Sequence, residues 1–164
     1  PLQLIDKSRN GIEIPITWQI PTIILLTLIF HKKVVIRAFS IYLILGLFIA
    51  PVFHQGGSIG YLLTPNFGYL LGVYPLITII DNLNNRNKIN VVSFLINGFI
   101  AIFTMHLTGI FYNFIQTIIY GQFNISLYNL GKYSAGKIGY HFLILLPLIL
   151  LFKPIKFFKN CKND

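Results

Sequence analysis

The sequence predicts an all-α membrane protein, a bundle of transmembrane helices. Three observations point there. Hydrophobic residues make up 55% of the 164 residues and charged residues only 10%, whereas soluble domains carry about a quarter of their residues as Asp, Glu, Lys and Arg. The apolar residues gather into blocks near the length needed to cross a hydrocarbon core about 30 Å thick. The basic residues sit in short clusters between those blocks. So few charges cannot coat a soluble globule, and the length fits one unit, so residues 1–164 read as a single integral membrane domain.

In chain order, PLQLI at residues 1–5 is an apolar run that stops at Asp6, too short to cross a membrane. It reads as the end of an earlier helix, so the expected bundle has six helices, the first largely missing from this chain and five visible. The visible spans lie at about 14–30, 36–53, 67–80, 91–112 and 138–152, and 153–164 is a basic tail. The first starts at Pro15, a position tolerated in a helix's first turn, and ends at His31-Lys32-Lys33. Pro21 within it predicts a kink, because it removes a backbone hydrogen bond and crowds the preceding turn.

The connections test this layout. Residues 31–37 carry Lys32, Lys33 and Arg37; residues 54–66 carry no Lys or Arg; residues 81–90 carry Arg86 and Lys88; the tail carries Lys153, Lys156, Lys159 and Lys162. Rich and poor connections alternate as the positive-inside rule requires, which puts 31–37, 81–90 and the tail in the cytoplasm and 54–66 on the outer side of a plasma (inner) membrane. The connection at 113–137, with Lys132 and Lys137, falls outside by the same parity. Topology thus accounts for the net charge of +9. No basic face interleaved with aromatics is present to bind nucleic acid. The single cysteine, Cys161, cannot form an internal disulfide.

The outer connection stands out. Residues 53–72, FHQGGSIGYLLTPNFGYLLG, hold five glycines and no charge. Gly56, Gly57 and Gly60 allow the backbone to fold back closely into the mouth of a bundle, and irregular backbone at membrane depth is tolerated only against protein or a cavity. Gly68 and Gly72, four apart, form a patch suited to close helix packing. A plain hairpin is the alternative. Against it stand the uncharged hydrogen-bonding groups of His54, Gln55, Ser58, Thr64, Asn66 and Tyr69, the usual make-up of a small-molecule pocket with apolar walls.

Other polar residues have two readings each. Gln19, inside the first span, is either glue between helices or a ligand contact. Trp18 is either an interfacial anchor or an indole wall for a flat ligand. His106 and Asn97 in the fourth span read as hydrogen-bonded packing residues before a proton relay. Tyr140 and His141 lie near the outer end of the last span, within reach of the same pocket. The histidines at 31, 54, 106 and 141 show no close ligand spacing, and HExxH, GxSxG and phosphate-loop motifs are missing. No catalytic residue, metal site or cofactor is expected, and nothing points to an enzyme.

The segment Pro15-Ile16-Thr17-Trp18-Gln19, the run Leu45-Gly46-Leu47-Phe48-Ile49-Ala50-Pro51-Val52-Phe53, and Gly56-Gly57-Ser58-Ile59-Gly60-Tyr61-Leu62-Leu63-Thr64-Pro65-Asn66-Phe67-Gly68-Tyr69-Leu70-Leu71-Gly72 resemble the BioY family, the biotin-binding S components of energy-coupling-factor vitamin transporters. The likeness covers about residues 12–80 and is nearest the short cyanobacterial branch, whose fifth helix the His106-Leu107-Thr108-Gly109 run also resembles. The resemblance implies six helices with both ends cytoplasmic. It also implies biotin at the outer side beside the glycine-rich stretch, and ATP-driven import through a transmembrane subunit and two ATPase subunits.

The family's docking surface includes small residues on its first helix, which this chain lacks. Many members also carry Pro-Gly-Asp-x-x-Lys at the start of the last helix, where Asp and Lys hold biotin. Here that region reads Ala135-Gly136-Lys137-Ile138-Gly139-Tyr140-His141-Phe142, with no Asp–Lys pair. The usual Gly-Pro-x-Gly-Gly-Tyr is Thr64-Pro65-Asn66-Phe67-Gly68-Tyr69. The expected function is capture of biotin or a related small molecule from the outer side for a separate coupling module. The residues expected to bind it are Trp18, Gln19, Gly57, Ser58, Asn66, Gly68, Tyr69, Lys137 and His141. A different ligand and a non-transporting structural subunit are the rival readings.

Overall fold

A computed structural model describes residues 18–53, 57–84, 91–121 and 123–161. The earlier helix end at 1–5, the start of the first span with Pro15, the polar side chains of His54 and Gln55, and the basic residues Arg86, Lys88 and Lys162 lie outside the described residues. Among the described residues the chain is all-helical. Its elements are α1 (Gln19–Ile29), α2 (Lys32–Phe48), a 3-10 turn (Ile59–Leu63), α3 (Pro65–Leu71), α4 (Val73–Asn84), α5 (Val91–Tyr120), α6 (Phe123–Leu130), a π-helical turn (Gly131–Ala135) and α7 (Gly136–Cys161). Each of the five segments expected to be helical contains a helix.

Local chemistry sets several boundaries. Pro21 falls in the first turn of α1, where its missing N–H has no intrahelical acceptor to lose. It therefore starts the helix, and the expected kink does not arise. Helix α2 begins at Lys32, four residues before the expected span, because two side chains cap it. His31 Nδ1 accepts from Lys33 N at 3.3 Å, and Asp81 Oδ1 of α4 accepts from Lys32 N at 3.1 Å. Asp81 is only 1% exposed, and a partly buried carboxylate at a helix N-terminus contributes up to about 2 kcal/mol. This cap joins the start of α2 to α4 at the end that charge parity places in the cytoplasm.

The third segment is two helices, with the break at Gly72. Pro75 cannot donate to the Leu71 carbonyl, which loosens the ladder there. Helix α5 runs on through 113–120, so much of the connection expected at 113–137 is helical, and it stops at Gly121 in the left-handed region with φ 67°. Thirty residues span about 45 Å at 1.5 Å per residue, so α5 outreaches a hydrocarbon core. By length and composition Val91–Tyr120 and Leu127–Leu151 are each able to cross a membrane.

Helix α5 is the central post. It packs against α3, α4 and α7, while α1 packs on α4 and α7, and α2 on α4. Ile24, Leu76, Ile77, Phe94, Ile102 and Leu145 fill the core. Polarity runs opposite to a soluble protein. Phe48, Phe103, Phe111, Ile118 and Leu150 face outward, whereas His106, Asn113, Thr117 and His141 are buried. Lipid tolerates the first set, and only protein partners satisfy the second.

Close approach of α3 to α5 depends on three glycines. A Cβ at Gly68 would overlap Tyr112, one at Gly72 would overlap the Met105 backbone, and one at Gly109 of α5 would overlap the Tyr69 ring. As numbering rises along α3 it falls along α5, so the helices interlock antiparallel. The small-residue patch expected from Gly68 and Gly72 thus packs on α5. Overpacking typically costs about 1–3 kcal/mol when side chains can yield, and backbone yields less. Gly72→Val should therefore lower the thermal unfolding midpoint clearly. Gly139→Ala, with nothing within 4 Å of the new methyl, should leave it unchanged or raise it slightly. Equal effects in a thermal melt of the two purified variants would contradict this packing.

Candidate functional site

The C-terminal end of α2 borders a cavity of about 420 Å³ lined by Gly46, Phe48, Pro51, Gly57, Ser58 and Gly60, among others. Gly57 packs against the carbonyls of Gly46 and Ala50, where a Cβ would not fit. Ser58 takes φ 140°, a backbone position that costs about 1–3 kcal/mol and concentrates at functional sites. Two hydrogen bonds hold it there: Ser58 N donates to Gly46 O at 3.1 Å, and Tyr61 N donates to Ser58 O at 2.9 Å. Ligand pockets usually span about 300–1,000 Å³, and this volume falls within that range.

A band of aromatic rings and hydroxyls packs beside the same end of α2. Gln19 Nε2 of α1 donates to the Tyr42 hydroxyl of α2 at 2.9 Å. Tyr42 meets the Phe53 ring edge-on at 5.4 Å, and Phe53 lies 4.5 Å from the Tyr61 ring. The Tyr61 hydroxyl is in hydrogen-bonding reach of Asn66 and feels the nearby hydroxyls of Tyr42 and Tyr133. Burial, with a smaller effect from those two tyrosines, pushes it up to about 12. It stays a neutral donor and acceptor at any physiological pH. Tyr112 donates from α5 to the Leu62 carbonyl and fastens the 3-10 turn to the bundle.

Deeper in the bundle four elements contribute to one polar chain. The Tyr69 hydroxyl of α3 and Ser134 Oγ of the π-helical turn are 2.6 Å apart. Ser134 Oγ is 3.4 Å from His106 Nδ1 of α5, and His106 Nε2 is 3.0 Å from His141 Nδ1 of α7. The Tyr69 ring stands edge-on to His106 at 5.6 Å, which the missing side chain of Gly109 permits. The π-helical turn carries Ser134 inward, and such turns recur at functional sites. Lys137, one turn before His141, holds its ammonium 5.3 Å from the Tyr133 ring centroid. Its charge reaches both imidazoles. Among the described residues no third metal-ligating side chain joins the histidines.

The residues singled out from sequence fall into three groups. Gly57 and Ser58 line the cavity at the end of α2. Tyr69, His141 and Lys137 meet at the polar chain, while Gln19 and Asn66 bond to Tyr42 and Tyr61 in the aromatic band between. Trp18, 65% exposed, stands outside the band at the head of α1, and Gly68 lies under Tyr112. Of the two readings of Gln19, a contact between helices is present. His106 is a hydrogen-bonded packing residue, and Asn97 bonds only its own helix, donating to Ser93 O at 2.7 Å. Tyr140 points outward while His141 is buried. Sequence reasoning missed Tyr42, Tyr61, Tyr133 and Ser134. Tyr42 and Tyr61, polar tips beside apolar runs, were a readable signal, whereas Tyr133 and Ser134, in the run Gly131-Lys132-Tyr133-Ser134-Ala135-Gly136-Lys137, had none.

A family model described as the BioY family matches residues 5–145. No curated protein and no solved structure matches the chain.

Interhelical hydrogen bonds within membranes are worth about 0.6 kcal/mol on average and at most about 1.7, while truncating a buried aromatic costs about 3–5 kcal/mol. Tyr69→Phe should therefore destabilise the protein only slightly, and Tyr69→Ala several times more. Chemical or thermal unfolding of both variants checks the ratio. A Phe variant as unstable as the Ala variant would mean that the hydroxyl, not the ring over Gly109, holds α3 in place.

Proposed function

We propose, from the premise that the chain belongs to the BioY family, that it captures biotin at the outer face of the plasma membrane and delivers it to a separate ATP-driven coupling module. BioY proteins are membrane-embedded S components of energy-coupling-factor vitamin transporters, subunits of transporters rather than enzymes. The observation that supports the biotin reading is the cavity of about 420 Å³ lined by Gly57 and Ser58, with the Phe53 ring of the aromatic band packed at Gly46, which also lines it. Biotin is a flat, mostly apolar bicycle with one neutral ureido group and one carboxylate. Its recognition calls for apolar rings, uncharged donors and acceptors, and one cation.

In this reading Gly57 and Ser58 offer backbone close to the ureido group, with Gln19 and Asn66 as amide partners. Tyr69 contributes ring surface, Trp18 keeps to the head of α1 as an interfacial anchor, and Gly68 serves by seating α3 on α5. Lys137 supplies the positive charge for the carboxylate and His141 a neighbouring polar atom, in place of the Asp–Lys pair that many family members carry. The partners are biotin, the lipid bilayer, and a coupling module of one transmembrane subunit and two ATPase subunits. The missing Asp–Lys pair supports one alternative, a related small molecule in the same cavity.

Purified full-length protein should bind biotin saturably, and its expression should rescue a biotin auxotroph at low external biotin. Lys137→Ala should weaken biotin binding about tenfold, or ~1.4 kcal/mol, and leave the affinity for the uncharged biotin amide unchanged. Absence of both binding and rescue in the unaltered protein sinks the biotin reading. Equal losses for biotin and its amide would remove Lys137 from the carboxylate.

A further inference from the structure

Helix α2 gives one face to the bundle and turns the opposite face outward, and the outward face changes character along its length. Val35, Phe39, Leu43 and Gly46 are buried against the other helices. Lys33, Arg37, Ile41 and Ile44 follow one another at the i, i+4, i+8, i+11 spacing of a single helical stripe, about half a turn round from the buried set. All four are exposed, and so are Val34, Ala38 and Leu45 beside them. The stripe is basic over its first turn and apolar from Ile41 onward.

Nothing among the described residues answers the two cations. Asp81 is the one acid there, and it is buried, accepting from Lys32 N. Neither Lys33 nor Arg37 makes an ion pair among the described residues. Arg37 lies about 7.5 Å along the axis from the first residue of α2, with exposed apolar side chains following it at once. A cation beside lipid tails is costly unless it reaches the headgroups, and long cationic side chains bend toward the interface to do so. Phosphate is the headgroup chemistry that fits a guanidinium, which can donate to two of its oxygens together.

The dimensions match as well. From Lys33 to Leu45 the face runs about 18 Å, and one leaflet with its headgroups is about 20 Å deep. A single upright lipid therefore covers the stripe, phosphate at the cations and chains along the isoleucines. A second copy of this chain fits the face less well. Copies inserted in the same direction and packed through this stripe would set Lys33 and Arg37 against the same residues of the other copy, and like charges at that separation repel.

We propose that this stripe of α2 binds an anionic phospholipid, whose phosphate takes Lys33 and Arg37 and whose acyl chains lie on Ile41 and Ile44. The site shares no residue with the cavity at the other end of α2 or with the residues assigned to biotin, so it stands whichever small molecule the protein captures. The bound headgroup neutralises the exposed charge at the start of α2, where the buried Asp81 fastens that helix to α4.

Native mass spectrometry of the full-length protein, delipidated in detergent and titrated with phosphatidylglycerol or phosphatidylcholine of identical acyl chains, tests the site. Each cation beside an anionic headgroup strengthens binding about fivefold, so phosphatidylglycerol should bind at least about tenfold more tightly. Lys33→Gln with Arg37→Gln should abolish that preference, and each single replacement should lose part of it. Lys132→Gln, which removes an exposed cation elsewhere, should keep it. Millimolar inorganic phosphate should leave the lipid bound, because the chains hold it as well as the headgroup.

Equal binding of the two lipids by the unaltered protein, or a preference that survives the double replacement, overturns the proposal. An equal loss in Lys132→Gln would reduce the preference to general attraction by positive charge and overturn the site. Displacement by inorganic phosphate would make the two cations a soluble-anion site and overturn the lipid face. A dimer seen in the unaltered protein and lost in the double variant would give the face to a second copy instead.

Discussion

The arrangement depends on how closely α3 and α4 approach α5. Gly68, Gly72 and Gly109 remove the three side chains that would hold the helices apart, and Tyr112, Met105 and Tyr69 fill the space from the opposite helix. No hydrophobic force drives helices together in lipid, because lipid tails are as apolar as leucine. Contact between well-fitted surfaces must do it. The interlock also brings Tyr69 over Gly109, within 2.6 Å of Ser134, so packing between two helices sets the first bond of a chain that runs through four elements.

Magnitudes rank the contributions. Each polar contact in the chain adds about 1 kcal/mol or less in a membrane, too little to position helices against a packing error of several. The hydrogen bonds therefore orient side chains that packing has already placed. The cap from Asp81 to Lys32 N works similarly at the opposite end, and it agrees with the side that charge parity assigns to residues 31–37 and 81. One end of the bundle is fastened by a buried carboxylate that accepts from a helix N-terminal N–H, the other by tyrosines, amides and glycines.

Much of this was legible in the sequence. Charge content and apolar blocks give an all-helical membrane protein, and the spacing of Gly68 and Gly72 gives a packing face. The glycine-rich stretch locates the cavity bordered by Gly57, Ser58 and Gly60. Helix ends were less legible, because they depend on distant groups. The early start of α2 needs Asp81 from α4, and Pro21 changes from kink to helix start according to where α1 begins. The site was legible only in pieces. Ser134 enters it through a π-helical turn, whose extra residue rotates the register in a way no local preference of Gly131–Ala135 reveals. Tyr42 and Tyr61 gain significance only when Phe53 folds between them.

The central claim is that glycine-mediated packing places the groups proposed to read the ligand. Gly109→Ala tests it most directly, since the added methyl meets the Tyr69 ring first and Gly109 is not among the residues that line the cavity. Biotin affinity of this variant, measured on protein whose helical content is shown unchanged by circular dichroism, should fall at least about tenfold, or ~1.4 kcal/mol. Full affinity in a folded Gly109→Ala protein would contradict the account, because the binding site would then be independent of the interlock that holds Tyr69 in place.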